Sequence, residues 1–440
     1  MNTPTQPSLL RNRGFAIVWW GGLLTLTGHG TLGVALSAYV YIATGSALAT
    51  SLMFAANALP RLLLSPLAGV FVDRWPRARV LVVSNLLLAG GTLPLLLVGD
   101  GSNWLVYLVF ALQSAIFRFF EPAETALLPT LVQRSQLPAA NALNALNNNL
   151  GRLAGPSLGG LLVAVAGLPG VVIANAVLYL GAAALISALR VEETLAGGRV
   201  DGVGDVGSAA SAFGSAGDAD ITNALRELRE GLRITFASPI PRLLTILLSL
   251  TAIGEGVFSV LITPFTLDVL GVGAVELGWL RSIQGAGGIV GGLLVAGLAN
   301  RLSPAVMLGV GGVLFGLVDL AIFNYPSLIE GFAPALVLMA LVGVPAAAYG
   351  AGVTTLLQST VDDRSLGKVL GVLATLGGLF GLLGIAIAGK FADVVGIVPI
   401  LNIQGYGYVL AGAVFWLLLR GHTWANLGPE RSQAQRDQQN

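Results

Sequence analysis

Twelve long apolar stretches fill this chain of 440 residues, near 14–43, 46–72, 79–98, 103–131, 139–166, 170–190, 242–268, 276–299, 304–324, 331–357, 366–392 and 397–420. A helix needs about 20 apolar residues to cross roughly 30 Å of hydrocarbon, so each stretch reads as a span. No segment shows the alternating ten-residue pattern of an outer-membrane strand. The expectation is therefore an all-α membrane protein with twelve transmembrane helices. Hydrophobic residues make up 55% of the chain and charged residues 10%, with a mean hydropathy of +0.81, a balance that excludes a water-soluble globule. Arg11 and Arg13 precede a first apolar run too long for a signal-peptide core, which predicts a retained helix.

The basic residues predict orientation. Of the 23 Lys and Arg, five (Arg61, Arg118, Arg152, Arg281 and Lys390) lie within spans. The others fall in the N-terminus, in alternate loops, in the central segment with its flanks, or in the tail. The opposite loops carry only acids such as Asp100, Asp268 and Glu330. Both termini are thus expected in the cytoplasm of a multi-pass protein of the cell (inner) membrane. The net charge of +1 implies no nucleic-acid partner, and the absence of Cys leaves no disulfide framework or thiolate metal site.

The chain divides into a six-helix bundle at 1–190, a cytoplasmic segment at 191–240, a second six-helix bundle at 241–420 and a tail at 421–440. Gly197 through Asp220 is rich in Gly, Ala, Ser and Asp and reads as a flexible linker. From Thr222 to Phe236, Leu225, Leu228, Leu232 and Phe236 recur at helical spacing among Arg and Glu, which predicts an amphipathic helix on the inner membrane face.

The two bundles repeat one another. Gly69-Val70-Phe71-Val72-Asp73-Arg74 ends the second span and Ala296-Gly297-Leu298-Ala299-Asn300-Arg301 the eighth; Leu131 to Leu137 is answered by Thr360 to Leu366. Offsets of 227 and 229 agree with a single duplication. Six spans per half is an even number, so the halves are expected to share one orientation, as in rocking transporters with parallel repeats.

On these residues the chain resembles the major facilitator superfamily of transporters, from about residue 11 to 420. Gly69-x-x-x-Asp73-Arg74-x-x-Arg77-x-Arg79 is similar to its loop 2–3 signature, with Pro76 where a Gly is usual. Gly151-Arg152-x-x-Gly155-Pro156-x-x-Gly159-Gly160 matches the fifth-helix motif associated with drug:proton antiporters. Thr44-Gly45-Ser46-Ala47, Leu59-Pro60-Arg61 and Phe119-Phe120-Glu121-Pro122-Ala123 resemble the branch that holds macrolide-efflux and enterobactin-exporter proteins. The resemblance implies a cytoplasmic gate built from Gly69, Asp73, Arg74, Arg77 and Arg79 with Asn300 and Arg301 as its degenerate copy. It also implies a fifth helix that meets the eighth, so that Gly151, Gly155 and Gly159 would form a sliding seam with Gly285, Gly288 and Gly292.

Ionisable residues inside spans are costly and mark pathways or partners. Glu255, flanked by Gly254 and Gly256 in the seventh span, is the first candidate for proton coupling, the glycines leaving room for water or ligand. His29 in Gly28-His29-Gly30 holds the matching place in the first span. Arg118 and Glu121, three apart on the fourth helix, can pair, and Glu124 lies one turn further on. Asp319 falls in the ninth span, which the family places at the periphery.

No phosphate loop, nucleotide domain or metal-ligand cluster is visible, so no cofactor is expected and ATP is not the energy source. The sequence points to a non-enzymatic secondary transporter, functional as a monomer in the lipid bilayer. It would export small amphipathic molecules, drugs or secreted metabolites such as siderophores, by proton antiport. The alternatives are an importer or facilitator of a small polar solute and, in another class, a non-transporting membrane receptor or scaffold.

Overall fold

The computed structural model describes residues 9–99, 103–189, 221–298 and 301–419, with their side chains except at 65–74, 221–225, 363–364 and 419. The expected linker and tail, and Asn300 of the degenerate gate, lie outside the described residues. So do the side chains of Gly69, Asp73 and Arg74.

Among the described residues every regular element is helical: α1 (Arg13–Thr44), α2 (Ala47–Arg74), α3 (Arg77–Thr92), α4 (Trp104–Leu131), α5 (Leu137–Ser187), α6 (Ile221–Ala237), α7 (Pro239–Pro264), α8 (Ala274–Leu298), α9 (Pro304–Asn324), α10 (Ala333–Leu341), α11 (Gly343–Thr360), α12 (Asp363–Val395) and α13 (Ile397–Leu419). Ten stretches are long and apolar enough to cross a membrane. The stretch containing α5 holds two spans, because Gly167 adopts φ 62° and ψ −166° inside it and Pro169 follows. Only a residue without a Cβ takes that conformation without strain, so the chain turns there and continues as a sixth span. With α8, 25 residues long, the described spans number twelve, since α10 and α11 form a single broken one.

Local signals set the helix ends. The Asn12 side chain accepts from the amides of Gly14 and Phe15 at the start of α1 and donates to the Leu131 carbonyl at 2.8 Å, tying α1 to the end of α4. Gly45 closes α1 with φ 60°, and the Ser303 hydroxyl caps α9.

The chain falls into two compact units, one comprising Met1–Gly45, Leu52–Gly217 and Gly273–Ser282, the other Ser46–Ser51, Asp218–Val272 and Ile283–Asn440. In the first, α1 packs along both spans of α5, while α3 packs on α4 and α5. In the second, α7 packs on α12 and α13, while α9 packs on α13 and α11. Because α5 supplies a fifth and a sixth span, the two pairing schemes are the same, helix for helix, as a duplicated chain requires.

In lipid no hydrophobic drive separates one helix from the tails around it, so packing and interhelical hydrogen bonds hold these bundles. Glycines therefore sit where backbones cross. On α5, a Cβ at Gly155 would stand 2.8 Å from the Thr27 carbonyl oxygen and 2.9 Å from Gly30 Cα, and one at Gly159 would overlap Thr31 of α1. On α7, a Cβ at Gly256 would strike the Gly381 carbonyl of α12. Buried polar pairs add to this: the Thr25 hydroxyl donates to Asn85 Oδ1 between α1 and α3 at 2.8 Å, and Asn324 donates to Asn402 Oδ1 between α9 and α13 at 2.8 Å.

The amphipathic helix α6 docks on the start of α12. Gly231 faces it so closely that a Cβ would lie 2.8 Å from the Lys368 carbonyl oxygen and 2.9 Å from Val372 Cγ2. The Lys368 ammonium reaches Glu230 at 2.9 Å, and this hydrogen-bonded cation holds the Glu230 carboxyl below its ordinary range. A depressed carboxyl stabilises the docked state at pH values above its unfolded value, here 4.5, and that contribution is lost as pH falls through the folded value. Gly231→Leu is expected to free α6 and expose it to trypsin at Arg226, Arg229 and Arg233, all exposed, whereas Glu230→Gln leaves the digestion rate within about twofold because a solvent-screened pair contributes little. Limited proteolysis of the two variants checks both.

Candidate functional site

Glu255 lies mid-way along α7, and its carboxylate is directed at α13. The Tyr408 hydroxyl donates to Oε1 at 2.6 Å and Gln404 Nε2 donates to the same oxygen at 3.4 Å. The flanking glycines do not make room for water, as the sequence suggested. Gly254 is pressed on α13, where a Cβ would stand 2.6 Å from Gln404 Cα, and Gly256 on α12. They bring the backbones in, and the approach of α13 is what carries Tyr408 and Gln404 to the acid.

Asp319 belongs to the same cluster. It is 3% exposed on α9, the helix that the resemblance places at the periphery, and it lies within electrostatic reach of both Glu255 and Tyr408. The cause of its burial is the α9–α13 crossing, at which Gly316 stands against Gly405 and Val409. Phe315 and Tyr349 pack on the Tyr408 ring at centroid distances of 4.1 and 5.3 Å and fix its hydroxyl. Four helices of the second unit thus converge on two carboxyls, a phenol and an amide.

The first unit holds a matching frame with different chemistry. Gly28 faces Asn175 and Tyr179 on the second span of α5, with Asn175 Oδ1 and Tyr179 Cε1 each 3.0 Å from the position of a Cβ. Asn175 and Tyr179 stand 229 residues before Gln404 and Tyr408, the offset already shared by the two loop copies. Asn-x-x-x-Tyr answering Gln-x-x-x-Tyr at that offset was the signal by which these four residues could have been found; apolar surroundings hid it. His29 does not meet Tyr179 as Glu255 meets Tyr408. Its ring lies flat on Phe117, 4.1 Å away and 9° from parallel, and His29 Nδ1, Asn175 Oδ1 and the Tyr179 hydroxyl are buried without a hydrogen-bond partner.

Arg118 donates to Glu121 Oε2 at 3.5 Å and lies 5.4 Å from the Phe117 ring. Glu121 is electrostatically linked to Arg61 of α2 as well, and Arg61 in turn to Arg152 of α5. The expected pair is therefore joined by Arg61, which in turn lies within electrostatic reach of Arg152.

The glycine motif of α5 faces α1 rather than α8. Gly151, Gly155 and Gly159 abut Leu26, Thr27, Gly30 and Thr31, because those glycines occupy the face along which α1 and α5 are packed for most of their length. The next face of α5 carries Pro156, Ser157 and Gly160, and this one meets the part of α8 that belongs to the first unit. A Cβ at Gly278 would lie 2.6 Å from the Pro156 carbonyl oxygen, and the Ser157 hydroxyl donates to Ser282 Oγ at 2.7 Å. Further along α8, Gly287 and Gly291 pack on Ala340 and Gly343 instead. Of the gate residues, Arg77 donates to the Ala126 carbonyl of α4 at 3.0 Å, and Arg79 and Arg301 are exposed. Among the described residues no group of three or more His, Asp or Glu is placed to hold a metal.

A chain of twelve apolar spans in two like-built units, with carboxyls placed along those spans, has the build of a membrane transporter. The sequence profile of the Major Facilitator Superfamily matches residues 18–385 and, in a second alignment, 244–436, and the chain belongs to that superfamily. It is 28% identical over 406 residues to the multidrug efflux pump Tap of Mycolicibacterium fortuitum, covering 90% of this chain and 91% of the pump. It is 23% identical over 387 residues to macrolide efflux protein A of Streptococcus pyogenes, covering 87% and 90%. Among solved structures, a bacterial homologue of the iron transporter ferroportin in an inward-facing state aligns with TM-score 0.68 and 16% identity over 94% of this chain and 100% of that one. A bacterial homologue of the human lysosomal transporter Spinster aligns with TM-score 0.63 and 17% identity over 92% and 95%. These last two likenesses establish the fold.

Because Gly155 and Gly159 stand against backbone atoms of α1, Gly155→Leu and Gly159→Leu are expected to impair assembly of the first unit and not transport alone. Each should lower the apparent melting midpoint of the detergent-solubilised protein by well over about 5 °C or abolish its monodisperse peak, since overpacking costs about 1–3 kcal/mol even where side chains can yield. Ser157→Leu, on the neighbouring face, is the contrasting variant.

Proposed function

We propose that this protein is a proton-coupled exporter of small amphipathic molecules, with the Glu255–Tyr408–Asp319 cluster as the place where the proton is exchanged. The export reading rests on likeness to Tap and to macrolide efflux protein A along nine-tenths of the chain. The coupling reading rests on one observation above the others: an intramembrane carboxylate held at 2.6 Å by a phenolic hydroxyl whose ring is itself fixed by two aromatics.

Such an acid has two arrangements with different hydrogen-bonding needs. Ionised, Glu255 is acceptor-only and takes donors from Tyr408 and Gln404. Protonated, it has an O–H of its own to place and needs one donor fewer. A change of charge on Glu255 therefore alters how firmly α7 is held to α13, and through Tyr408 it is felt at Asp319 on α9. Binding of cargo near the cluster would displace the proton, and alternating access would return the emptied, protonated transporter to the other side. The proton gradient drives the cycle because each state binds proton or cargo better than both together.

A second reading of the cargo is favoured by Arg61, Arg118 and Arg152, which outnumber Glu121 in the group formed on α2, α4 and α5 of the first unit. That surplus suits a cargo bearing a carboxylate or phenolate, such as a siderophore.

In this reading both termini are cytoplasmic, and Asp73 with Arg74, Arg77 and Arg79 closes the cytoplasmic side. Inverted vesicles supplied with a pH gradient should accumulate a dye or a macrolide, and accumulation should vanish when the gradient is collapsed. Glu255→Gln is expected to lose gradient-driven accumulation by about tenfold or more, the range of a lost proton-transfer group, while still binding the dye. Tyr408→Phe should reduce it less. Undiminished accumulation in Glu255→Gln would remove this acid from coupling.

A further inference from the structure

Among the described residues Glu124 of α4 is the most enclosed acid of the first unit, and no part of the coupling scheme above uses it. The residue is 4% exposed, and its Oε1 is buried without a hydrogen-bond partner. It is turned on to α1 at Gly22, so closely that a Cβ there would overlap Oε1. Asn147 of α5 closes the other side: its Nδ2 would be 3.2 Å from the same Cβ, and it donates to the Trp19 carbonyl of α1 at 2.6 Å. One amide hydrogen is used in this way, and Asn147 Oδ1 is a second buried acceptor with no donor.

Two unsatisfied acceptors thus flank Gly22. Among the described residues, an ionised carboxylate in this place has no donor on Oε1 and no ion pair. On its own helix the neighbouring charge is Glu121, of like sign and already engaged by Arg118. From α1 it is faced by Gly22 and by Trp19, whose Nε1 is spent on the Leu143 carbonyl at 2.8 Å. From α5 it is faced by Asn147, while Arg152 of that helix is exposed; Arg77 of α3 donates to the Ala126 carbonyl. Leaving a buried charge unpaired is strongly destabilising, and each orphaned acceptor adds its own desolvation cost. A single hydrogen relieves this: a protonated Glu124 carries no charge and has an O–H donor of its own, and Asn147 of the neighbouring α5 holds a buried acceptor oxygen without a donor.

We propose that Glu124 is a second proton-binding site, located between α1, α4 and α5 of the first unit, which carries its proton while α1 is seated on it and releases it when α1 moves away and admits water. Gly22 makes the seat, since any side chain there would hold α1 off. Pro122, two residues before Glu124, removes one hydrogen bond from the α4 ladder and leaves that turn free to adjust. The proposal rests on the transport reading only for its consequence, that one cycle can move a proton from each unit.

The test is infrared spectroscopy of the purified protein in lipid at neutral pH. The wild type should show carbonyl absorption of a protonated, water-shielded carboxylic acid, and Glu124→Gln should lose a resolvable part of it. Glu255→Gln should retain that part. An unchanged carbonyl region in Glu124→Gln overturns the proposal, since the acid would then be ionised in the closed protein. If the Gln variant is not recovered folded, Asn147→Asp serves: a second acid beside Glu124 can share its proton, and the band should shift in frequency, whereas no shift again overturns the assignment. Proton release on adding cargo to weakly buffered protein should fall in Glu124→Gln relative to wild type, and equal release would remove the site from the cycle. Failure of the coupling assignment to Glu255 would appear separately, as normal transport by Glu255→Gln with the Glu124 band intact.

Discussion

Close passage of one helix backbone over another, with no side chain between, is the constraint from which the rest of this structure follows. In water the burial of Leu and Val would hold two helices together; in hydrocarbon those side chains gain little by leaving the lipid, and dispersion at short range must do more of the work. Single interhelical hydrogen bonds contribute on average about 0.6 kcal/mol in such bundles. Pairs such as Thr25 with Asn85, Asn324 with Asn402 and Ser157 with Ser282 therefore contribute modestly one by one. Glycine at the crossing contributes more, because it multiplies the number of atom pairs in contact. The cost is steric intolerance: Gly159, Gly256 and Gly316 each face a carbonyl or amide that cannot move aside as a side chain could.

The same crossings decide where chemistry can occur. Glu255 has a donor at 2.6 Å because Gly254 lets α13 approach α7, and Asp319 is buried because Gly316 lets α9 approach α13. The surroundings of each of these carboxyls follow from small residues at the crossing beside it, which bring the neighbouring helix within reach.

How much of this could be read from the residues follows from the same physics. The twelve spans, the duplication and the amphipathic helix were legible because each is a pattern along one chain: length, offset and period. Gly167 was legible as a break between the fifth and sixth stretches. The partners of the glycines were not. Glycine spacing at 151, 155 and 159 reports a bare face and says nothing of which helix comes to lie on it, so a family-based expectation assigned it to α8 where α1 is found. Glu255 stood out because a charge in an apolar run is conspicuous; Tyr408 and Gln404 did not, because neutral polar groups barely alter hydropathy. Asp319 was conspicuous for the same reason, but its burial was not legible, since that depends on the α9–α13 contact and not on its own neighbours in sequence.

Duplication kept the frame and let the acids move. Asn175 and Tyr179 occupy in the first unit the places of Gln404 and Tyr408 in the second, and Gly28 stands for Gly254. Yet where the second unit sets a carboxylate under its tyrosine, the first sets an imidazole that turns away to lie on Phe117, leaving the Tyr179 hydroxyl unmatched. The buried acid of the first unit is instead Glu124, on α4 and against the earlier part of α1. In the proposed scheme the two acids depend on different helix contacts, Glu124 on α1 at Gly22 and Glu255 on α7 with α13, so parting one contact does not by itself open the other. A symmetric pair of acids would charge and discharge together. Displacing them from symmetry makes an ordered sequence of proton steps possible within a single duplicated fold, and that ordering is what a transporter needs to prevent its proton leaking without cargo.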